Sequence, residues 1–343
     1  MRVHGGRAPE GTIDFSAPLN PLGPPARLVE ILEELVKSRS YARYPDHEYR
    51  ELREALAEYY GLDEREVIPL NGAAEALNLL VDLLRPKVVI TFEPTFGDHR
   101  AYLKALGMPW ITLPLRRYRG EFRLEVELLC SMPRELREGS LVLLSNPNNP
   151  TGHLASREEL EEVIECSHSL LVDEAFADFA EGESMLGRGA FVARSLTKVL
   201  TIPGLRAGFL YAPRVAKRVD AVRQPWNVNA LAAAAIARFF REGDMREFVK
   251  ESVEALSRER EFLSSGLSSL RLQVFPSRAP FLLMEHTLPH PFLNSLLVKH
   301  GVYVRDASSF HYLTPYHSRV SVRLREENER LIEAMRLAMS EGL

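Results

Sequence analysis

The stretch 195–208 reads Ser-Leu-Thr-Lys-Val-Leu-Thr-Ile-Pro-Gly-Leu-Arg-Ala-Gly and directly follows Phe191–Arg194, a short run typical of a buried strand. Functional loops of α/β proteins lie at the carboxyl ends of such strands, where Lys198 and Arg206 would then be placed. A single lysine is more often a solvated surface charge. Whether Lys198 is a functional residue therefore depends on which other segments lie at the same edge of the sheet.

Three further segments follow predicted strands or open predicted helices. They are, in chain order, Asn71–Glu75, Ser145–Gly152 and Asp173–Phe176. Each segment alone has an ordinary explanation, since Pro-Asn-Asn-Pro favours a turn and an aspartate after a strand often caps a helix. Turns and caps do not explain why all of them occur together in this order, which indicates one composite site.

Short apolar runs alternate with helical patterns around these segments. The alternation predicts a large α/β domain, residues 41–240, with a mainly parallel sheet flanked by helices. A long helix and short strands follow, and they predict a smaller α+β domain made of residues 26–40 and 241–343. Residues 1–25 are rich in Gly and Pro, which predicts an extended arm.

Composition excludes several classes of function. The chain of 343 residues has 43 Lys and Arg against 47 Asp and Glu, and the net charge of -4 disfavours non-specific binding to nucleic acid or anionic membranes. The longest apolar run, residues 230–237, is shorter than the ~20 residues that span a bilayer, so we expect a cytoplasmic protein. Cys130 and Cys166 lie outside any Cys-x-x-Cys or Cys/His cluster, which predicts two buried or idle thiols and no metal site.

Together the four segments resemble the fold-type I pyridoxal-phosphate aminotransferase superfamily, and the resemblance covers nearly the whole chain. It implies that fold and a pyridoxal 5′-phosphate cofactor. Lys198 matches the lysine that binds the cofactor covalently, and Asp173 matches the carboxylate that pairs with the pyridine nitrogen, so these two are the expected catalytic residues. Asn149 matches the residue that binds the ring O3′ atom, and Phe96 matches the aromatic that stacks on the ring.

The resemblance also assigns the groups that bind the cofactor phosphate. They are backbone N–H groups at a helix start, hydroxyl groups and one guanidinium, which in this sequence belong to Gly72, Ala73, Ala74, Ser195, Thr197 and Arg206. Tyr44 matches a tyrosine that reaches the cofactor phosphate of the neighbouring subunit. The resemblance therefore implies a homodimer in which Tyr44 completes the partner's site.

Substrate contacts are expected from the smaller domain and from the arm. Arg323 matches the arginine that holds a substrate carboxylate, and Arg305 is a second candidate. The arm is expected to close over the site and to enclose a substrate phosphate, a disordered tail being the alternative. The arm residues proposed to contact substrate are His4, Gly5, Gly6 and Asn20.

Two branches of the superfamily share this layout, threonine-phosphate decarboxylase of cobalamin biosynthesis and histidinol-phosphate aminotransferase. Phe176 favours the decarboxylase branch, because the aminotransferase branch usually has a tyrosine there that donates a hydrogen bond to O3′. The resemblance thus implies decarboxylation of L-threonine O-3-phosphate, with the aminotransferase as the alternative. Fold-type I domains also occur in transcription regulators, which the negative net charge and the complete set of cofactor contacts disfavour.

The arm and the stretch 224–232 resemble the decarboxylase branch as well. Both contain departures from the usual pattern of that branch, since Arg7 and Pro18 stand where asparagine is usual and Asn227 stands where serine is usual. We therefore expect the contacts to a substrate phosphate to differ at these positions.

Overall fold

The structure is a computed structural model that describes residues 4–180, 182, 184–242 and 244–342. Its strands are, in chain order, β1 (Ile13–Asp14), β2 (Val67–Leu70), β3 (Val88–Glu93), β4 (Trp110–Pro114), β5 (Arg116–Tyr118), β6 (Glu121–Arg123), β7 (Ser140–Ser145), β8 (Ser169–Asp173), β9 (Phe191–Ser195), β10 (Gly208–Tyr211), β11 (Gln273–Val274), β12 (Phe281–Glu285), β13 (Val302–Tyr303), β14 (Arg305–Asp306) and β15 (His317–Ser321).

Helices cover these strands and join them. They are α1 (Ala26–Lys37), α2 (Arg50–Tyr60), α3 (Glu75–Leu84), α4 (Gly97–Ala105), α5 (Val126–Cys130), α6 (Arg134–Arg137), α7 (Arg157–Cys166), α8 (Leu196–Val199), α9 (Ala216–Val222), α10 (Ala230–Glu242), α11 (Met245–Ser269), α12 (His290–Lys299) and α13 (Arg325–Glu341). Across the described ranges, none of them is long and apolar enough to cross a membrane.

Seven strands of the described chain form the central sheet, in the order β2-β10-β9-β8-β7-β3-β4. Strand β10 runs antiparallel to both of its neighbours, whereas the other pairs are parallel. Strands β3 and β7 are buried along their whole length, as expected when helices cover both faces of a parallel sheet. The predicted α/β fold with a mainly parallel sheet is confirmed.

A second, antiparallel sheet lies in the C-terminal part of the chain, in the order β11-β12-β15-β14. The arm is attached to this part, because β1 pairs in parallel with β13 and the backbone of Phe15 bonds to both Tyr303 and Ser321. The division into domains stays a prediction. Helix α1, which it groups with the smaller domain, packs against α10.

The two cysteines form a disulfide, so the prediction of idle thiols is wrong. Cys130 and Cys166 have Cα atoms 5.1 Å apart although they are separated by 36 positions in the sequence. Each cysteine ends a helix, Cys130 in α5 and Cys166 in α7, and the two helices pack against each other. The two cysteines pair because their helices dock on each other. Such docking produces no local sequence motif from which the disulfide could be predicted.

Candidate active site

A cavity of about 410 Å³ lies at the carboxyl ends of β7, β8 and β9, and residues of the arm and of β15 line it as well. It gathers most of the residues predicted from the sequence, namely His4, Gly5, Ala73, Ala74, Phe96, Asn149, Asp173, Phe176, Ser195, Thr197, Lys198 and Arg206. The predicted residues that do not line it are Gly6, Asn20, Tyr44, Gly72, Arg305 and Arg323.

Lys198 lies buried in α8, the short helix that directly follows β9. Burial, with a further contribution from the positive charges of Arg319 and Arg206, lowers the pKa of its amine to about 8, and the carboxylate of Asp173 opposes this shift. A buried amine with this pKa is partly neutral near pH 7, and only the neutral form can attack an aldehyde. Lys198 therefore suits covalent binding of a carbonyl group.

The lowered pKa predicts how cofactor uptake depends on pH. The rate at which cofactor-free protein binds pyridoxal phosphate covalently should rise as pH approaches about 8 and level off above it, because the neutral amine then predominates. An unperturbed lysine would give a rate that climbs towards its ordinary pKa of 10.5. Stopped-flow absorbance over this range measures the rate, and a rate that still rises steeply above pH ~9.5 would contradict the burial effect.

Asp173 ends β8 and is held by two donors. Its Oδ1 atom accepts the backbone N–H of Ala175 at 3.1 Å, and its Oδ2 atom lies 3.4 Å from Nε2 of His99. A carboxylate held in this way can pair with a positively charged ring nitrogen. His99 escaped the sequence reasoning, because its contact exists only once α4 docks beside β8. The same imidazole packs edge-on against Phe96, with ring centroids 5.3 Å apart.

Asn149 and Phe176 line the cavity between Asp173 and the smaller sheet. The Oδ1 atom of Asn149 accepts a hydrogen bond of 2.6 Å from Arg319, which leaves its amide N–H groups as the donors for a ligand. The ring of Phe176 is buried, packs edge-on against Phe281 and lies 5.9 Å from Nζ of Lys198. Phe176 can therefore contribute apolar contact but no hydrogen bond.

The groups predicted to bind phosphate, here called the phosphate cradle, come from the starts of α3 and α8 and from the loop before β10. They are Gly72, Ala73, Ala74, Ser195, Thr197 and Arg206. The hydroxyls of Ser195 and Thr197 are buried and 2.8 Å apart. Gly72 has a φ of 80°, and a Cβ atom added there would collide with the guanidinium of Arg206. Helix N–H groups, two hydroxyls and a guanidinium fit a phosphate dianion, so these residues suit pyridoxal phosphate.

Of the two arginines around the end of β15, Arg319 lines the cavity beside Arg206 and the predicted Arg323 does not. Arg323 is paired with Glu327 at 2.7 Å and bonds to the backbone of Asp14. Arg319 is buried in β15 and donates to Asn149 and to the carbonyl of Ser16, while its Nε atom has no hydrogen-bond partner among the described residues. Side chains alternate between the two faces of a strand, so Arg319 and Arg323 would point to the same face of a continuous strand. Strand β15 ends at residue 321, however, and only Arg319 belongs to the sheet.

Asn20 and Gly6 fix the arm and lie outside the cavity. The Asn20 amide donates to the carbonyl of Val199 at 2.9 Å and to Ser252 Oγ at 2.7 Å, so the predicted substrate contact is replaced by a tie between the arm and α8. The backbone N–H of Gly6 donates to Ser16 Oγ at 2.8 Å. A Cβ atom on Gly5 would collide with the backbone of Ser16, so this close approach requires glycine.

The first described residue of the arm contacts the start of α4. Nε2 of His4 lies 3.3 Å from Oδ1 of Asp98, another lining residue that sequence reasoning missed. A second cavity of about 100 Å³ adjoins this contact and is lined by Arg305 together with His4 and Arg319. The arm thus forms one wall of the site.

Tyr44 lies outside the cavity and is 80% exposed. Its ring packs on the ring of Trp226, with centroids 4.5 Å apart, and Trp226 is itself exposed. An exposed aromatic pair of this kind is suited to contact with another protein surface.

Known proteins resemble this chain over nearly its whole length. The model of the family "Aminotransferase class I and II" matches residues 10–335. A protein of Caldanaerobacter subterraneus subsp. tengcongensis, provisionally named threonine-phosphate decarboxylase, is 33% identical and aligns over 95% of this chain and 90% of its own. The histidinol-phosphate aminotransferase of Thermococcus gammatolerans is 31% identical, over 92% of this chain and 88% of its own.

The fold is also that of solved structures. The histidinol-phosphate aminotransferase from Clostridium acetobutylicum superposes with a TM-score of 0.86 at 23% identity, over 96% of this chain and 99% of that one. Relatives with both reaction names thus align at similar identity, which assigns the family and leaves the reaction open. With its central sheet, buried lysine and family match, the chain belongs to the class I and II aminotransferases, pyridoxal-phosphate enzymes of fold type I.

Proposed function

We propose that this chain decarboxylates L-threonine O-3-phosphate to (R)-1-amino-2-propanol O-2-phosphate, a reaction of cobalamin biosynthesis in the cytoplasm. The observation that carries the proposal is Phe176, a buried ring without a hydroxyl at the position where the aminotransferase branch usually has tyrosine. The 33% identity to the relative named threonine-phosphate decarboxylase supports it.

In this proposal different residues hold the cofactor ring, the cofactor phosphate and the substrate carboxylate. Pyridoxal phosphate, when bound, supplies a positively charged ring that accepts the electron pair released at the substrate Cα. Asp173 would hold the ring nitrogen, and the phosphate cradle would hold the cofactor phosphate. Arg319 would bind the substrate carboxylate, because it is a buried cation that already lines the cavity.

The choice of reaction depends on how the residues of the cavity would orient the bonds at the substrate Cα. Arg319 is fixed by Asn149 and Ser16, so it fixes where a substrate carboxylate is held. His4 and Gly5 would hold the substrate phosphate from the arm side of the cavity. If these contacts expose the bond between Cα and the carboxylate, CO2 would be lost and Lys198 would be placed to donate a proton to Cα. If they expose the Cα–H bond instead, Lys198 would be placed to remove that proton, and transamination would follow.

A competition between substrates tests the proposal. Threonine phosphate should release CO2 without a need for 2-oxoglutarate, and histidinol phosphate with 2-oxoglutarate should give little glutamate. Both products are measured with the same enzyme preparation, and the Lys198→Ala variant serves as the blank. Glutamate formation without CO2 release would overturn the decarboxylase in favour of histidinol-phosphate aminotransferase, the alternative suggested by the 31% identical relative.

We infer further that the enzyme is a homodimer in which Tyr44 reaches the partner's cofactor phosphate. Tyr44→Phe keeps the ring that packs on Trp226 and removes only the hydroxyl. Pyridoxal phosphate should then dissociate about 10-fold faster, as expected for loss of one hydrogen bond to a charged group, while the midpoint of thermal unfolding stays the same. Sedimentation equilibrium tests the dimer, and a fully active monomer would contradict it.

A further inference from the structure

We propose that Asn227 is a positioning residue for the cofactor, because it holds the carboxylate of Glu75 beside the phosphate cradle and out of the cofactor cavity. Asn227 does not line that cavity. It lines an adjoining hollow of about 450 Å³ together with Glu75. Ala74, Asp98 and Arg206 line both spaces.

The orientation of the Asn227 amide is set by its partners. Its Oδ1 atom accepts a hydrogen bond of 2.7 Å from Arg223, which can only donate. Its Nδ2 atom donates to the carbonyl of Pro69 at 3.0 Å and to Oε2 of Glu75 at 2.9 Å, which can only accept. All three contacts therefore agree on one orientation, and the N–H group that faces Glu75 is fixed.

Glu75 begins α3, one residue after the last residue of the cradle at this helix. A carboxylate in the first turn interacts favourably with the helix dipole, but it repels a phosphate bound at the same N-terminus. In the structure Oε2 of Glu75 accepts the backbone N–H of Asn71 at 2.6 Å as well as the Asn227 amide. These two bonds keep the negative charge on the side of the helix that faces the adjoining hollow.

Asn229, two residues after Asn227, contacts the other side of the phosphate cradle. Nδ2 of Asn229 donates to the carbonyl of Leu205 at 2.7 Å, directly before Arg206. Nη2 of Arg206 in turn approaches the carbonyl of Asn71 at 3.4 Å. The segment 227–229 thus connects both sides of the cradle, and it follows Trp226, on which Tyr44 packs.

The inference rests on the proposed cradle and adds a role that can be measured without turnover. When Asn227 is lost, the bond from Asn71 is the one that remains to Glu75 Oε2 among the described residues, and the carboxylate can move towards Ala74 and the phosphate. The consequence is faster release of pyridoxal phosphate. A role of Asn227 in local packing alone would not depend on the charge of Glu75.

A double-mutant cycle separates these two roles. The dissociation rate of pyridoxal phosphate is measured by absorbance after dilution into a cofactor trap, for the wild type, Asn227→Ala, Glu75→Gln and the double variant. We expect ~5-fold faster release for Asn227→Ala, and release within ~2-fold of the wild type for Glu75→Gln and for the double variant. Asn78→Ala, which removes an amide from the same hollow, is the matched control and should match the wild type.

A salt dependence and a replacement variant complete the test. Salt should reduce the defect of Asn227→Ala, since the repulsion is screened. If Asn227→Ala does not fold, Asn227→Leu, which keeps the bulk of the side chain and removes the donor, takes its place, paired with Glu75→Gln. An equal defect with and without the Glu75 charge, or none at all, overturns the role of Asn227. A wild-type protein whose bound cofactor contacts none of the cradle would instead overturn the cradle.

Discussion

Replacing Lys198 with alanine is expected to lower kcat by at least about 10³-fold, because a buried acid or base acting at the reacting carbon contributes roughly 10²- to 10⁴-fold and the covalent bond to the cofactor is lost as well. No other amine lines the described cavity, so no neighbour can replace it. The measurement is single-turnover CO2 release from threonine phosphate with the variant saturated with cofactor.

Reduction with borohydride supplies the control for this prediction. Reduced wild-type protein should carry the pyridoxyl group on the peptide that contains Lys198, and reduced Lys198→Ala should carry none. Lys87→Ala, a lysine that does not line the cavity, should retain both the modification and the activity. A pyridoxyl group found on another lysine would refute the assignment of the cavity.

Replacing Arg319 with alanine is expected to lower kcat/KM for threonine phosphate by about 10²- to 10³-fold, since truncating one partner of a buried charge pair costs about 2–5 kcal/mol. The loss should fall mainly on KM if Arg319 binds the carboxylate in the ground state. It should fall on kcat as well if the arginine also selects the bond that breaks. Steady-state kinetics with threonine phosphate measures both.

The paired variant Arg323→Ala decides between the two arginines. Arg323 is half-exposed and paired with Glu327, so its removal should change kcat/KM by less than about 3-fold, as is usual for exposed ion pairs. Arg319→Lys keeps the charge but not the two-pronged geometry and should remain at least ~10-fold impaired. If Arg323→Ala were the more damaging change, the carboxylate site would have to be moved out of the described cavity.

Much of the site could be predicted from the sequence because its residues directly follow buried strands or begin helices. Asp173 ends β8 and Lys198 lies in the short helix that directly follows β9, and neighbouring parallel strands bring their carboxyl ends to one edge by backbone pairing alone. Gly72 could be recognised in the same way, because a turn with positive φ before a helix depends on local chain geometry. These features are local, so the order of residues specifies them.

The rest depends on surfaces that meet only after folding. Arg319 and Arg323 have the same strand parity, and only the end of β15 at residue 321 decides which of them enters the cavity. Cys130 and Cys166 pair because α5 docks on α7. The side chain of Asn20 binds Val199, which is distant in the sequence and brought near only by folding. By itself the sequence determined the strand-end chemistry, and tertiary packing decided the contacts between segments, because no periodic pattern encodes which distant surfaces will touch.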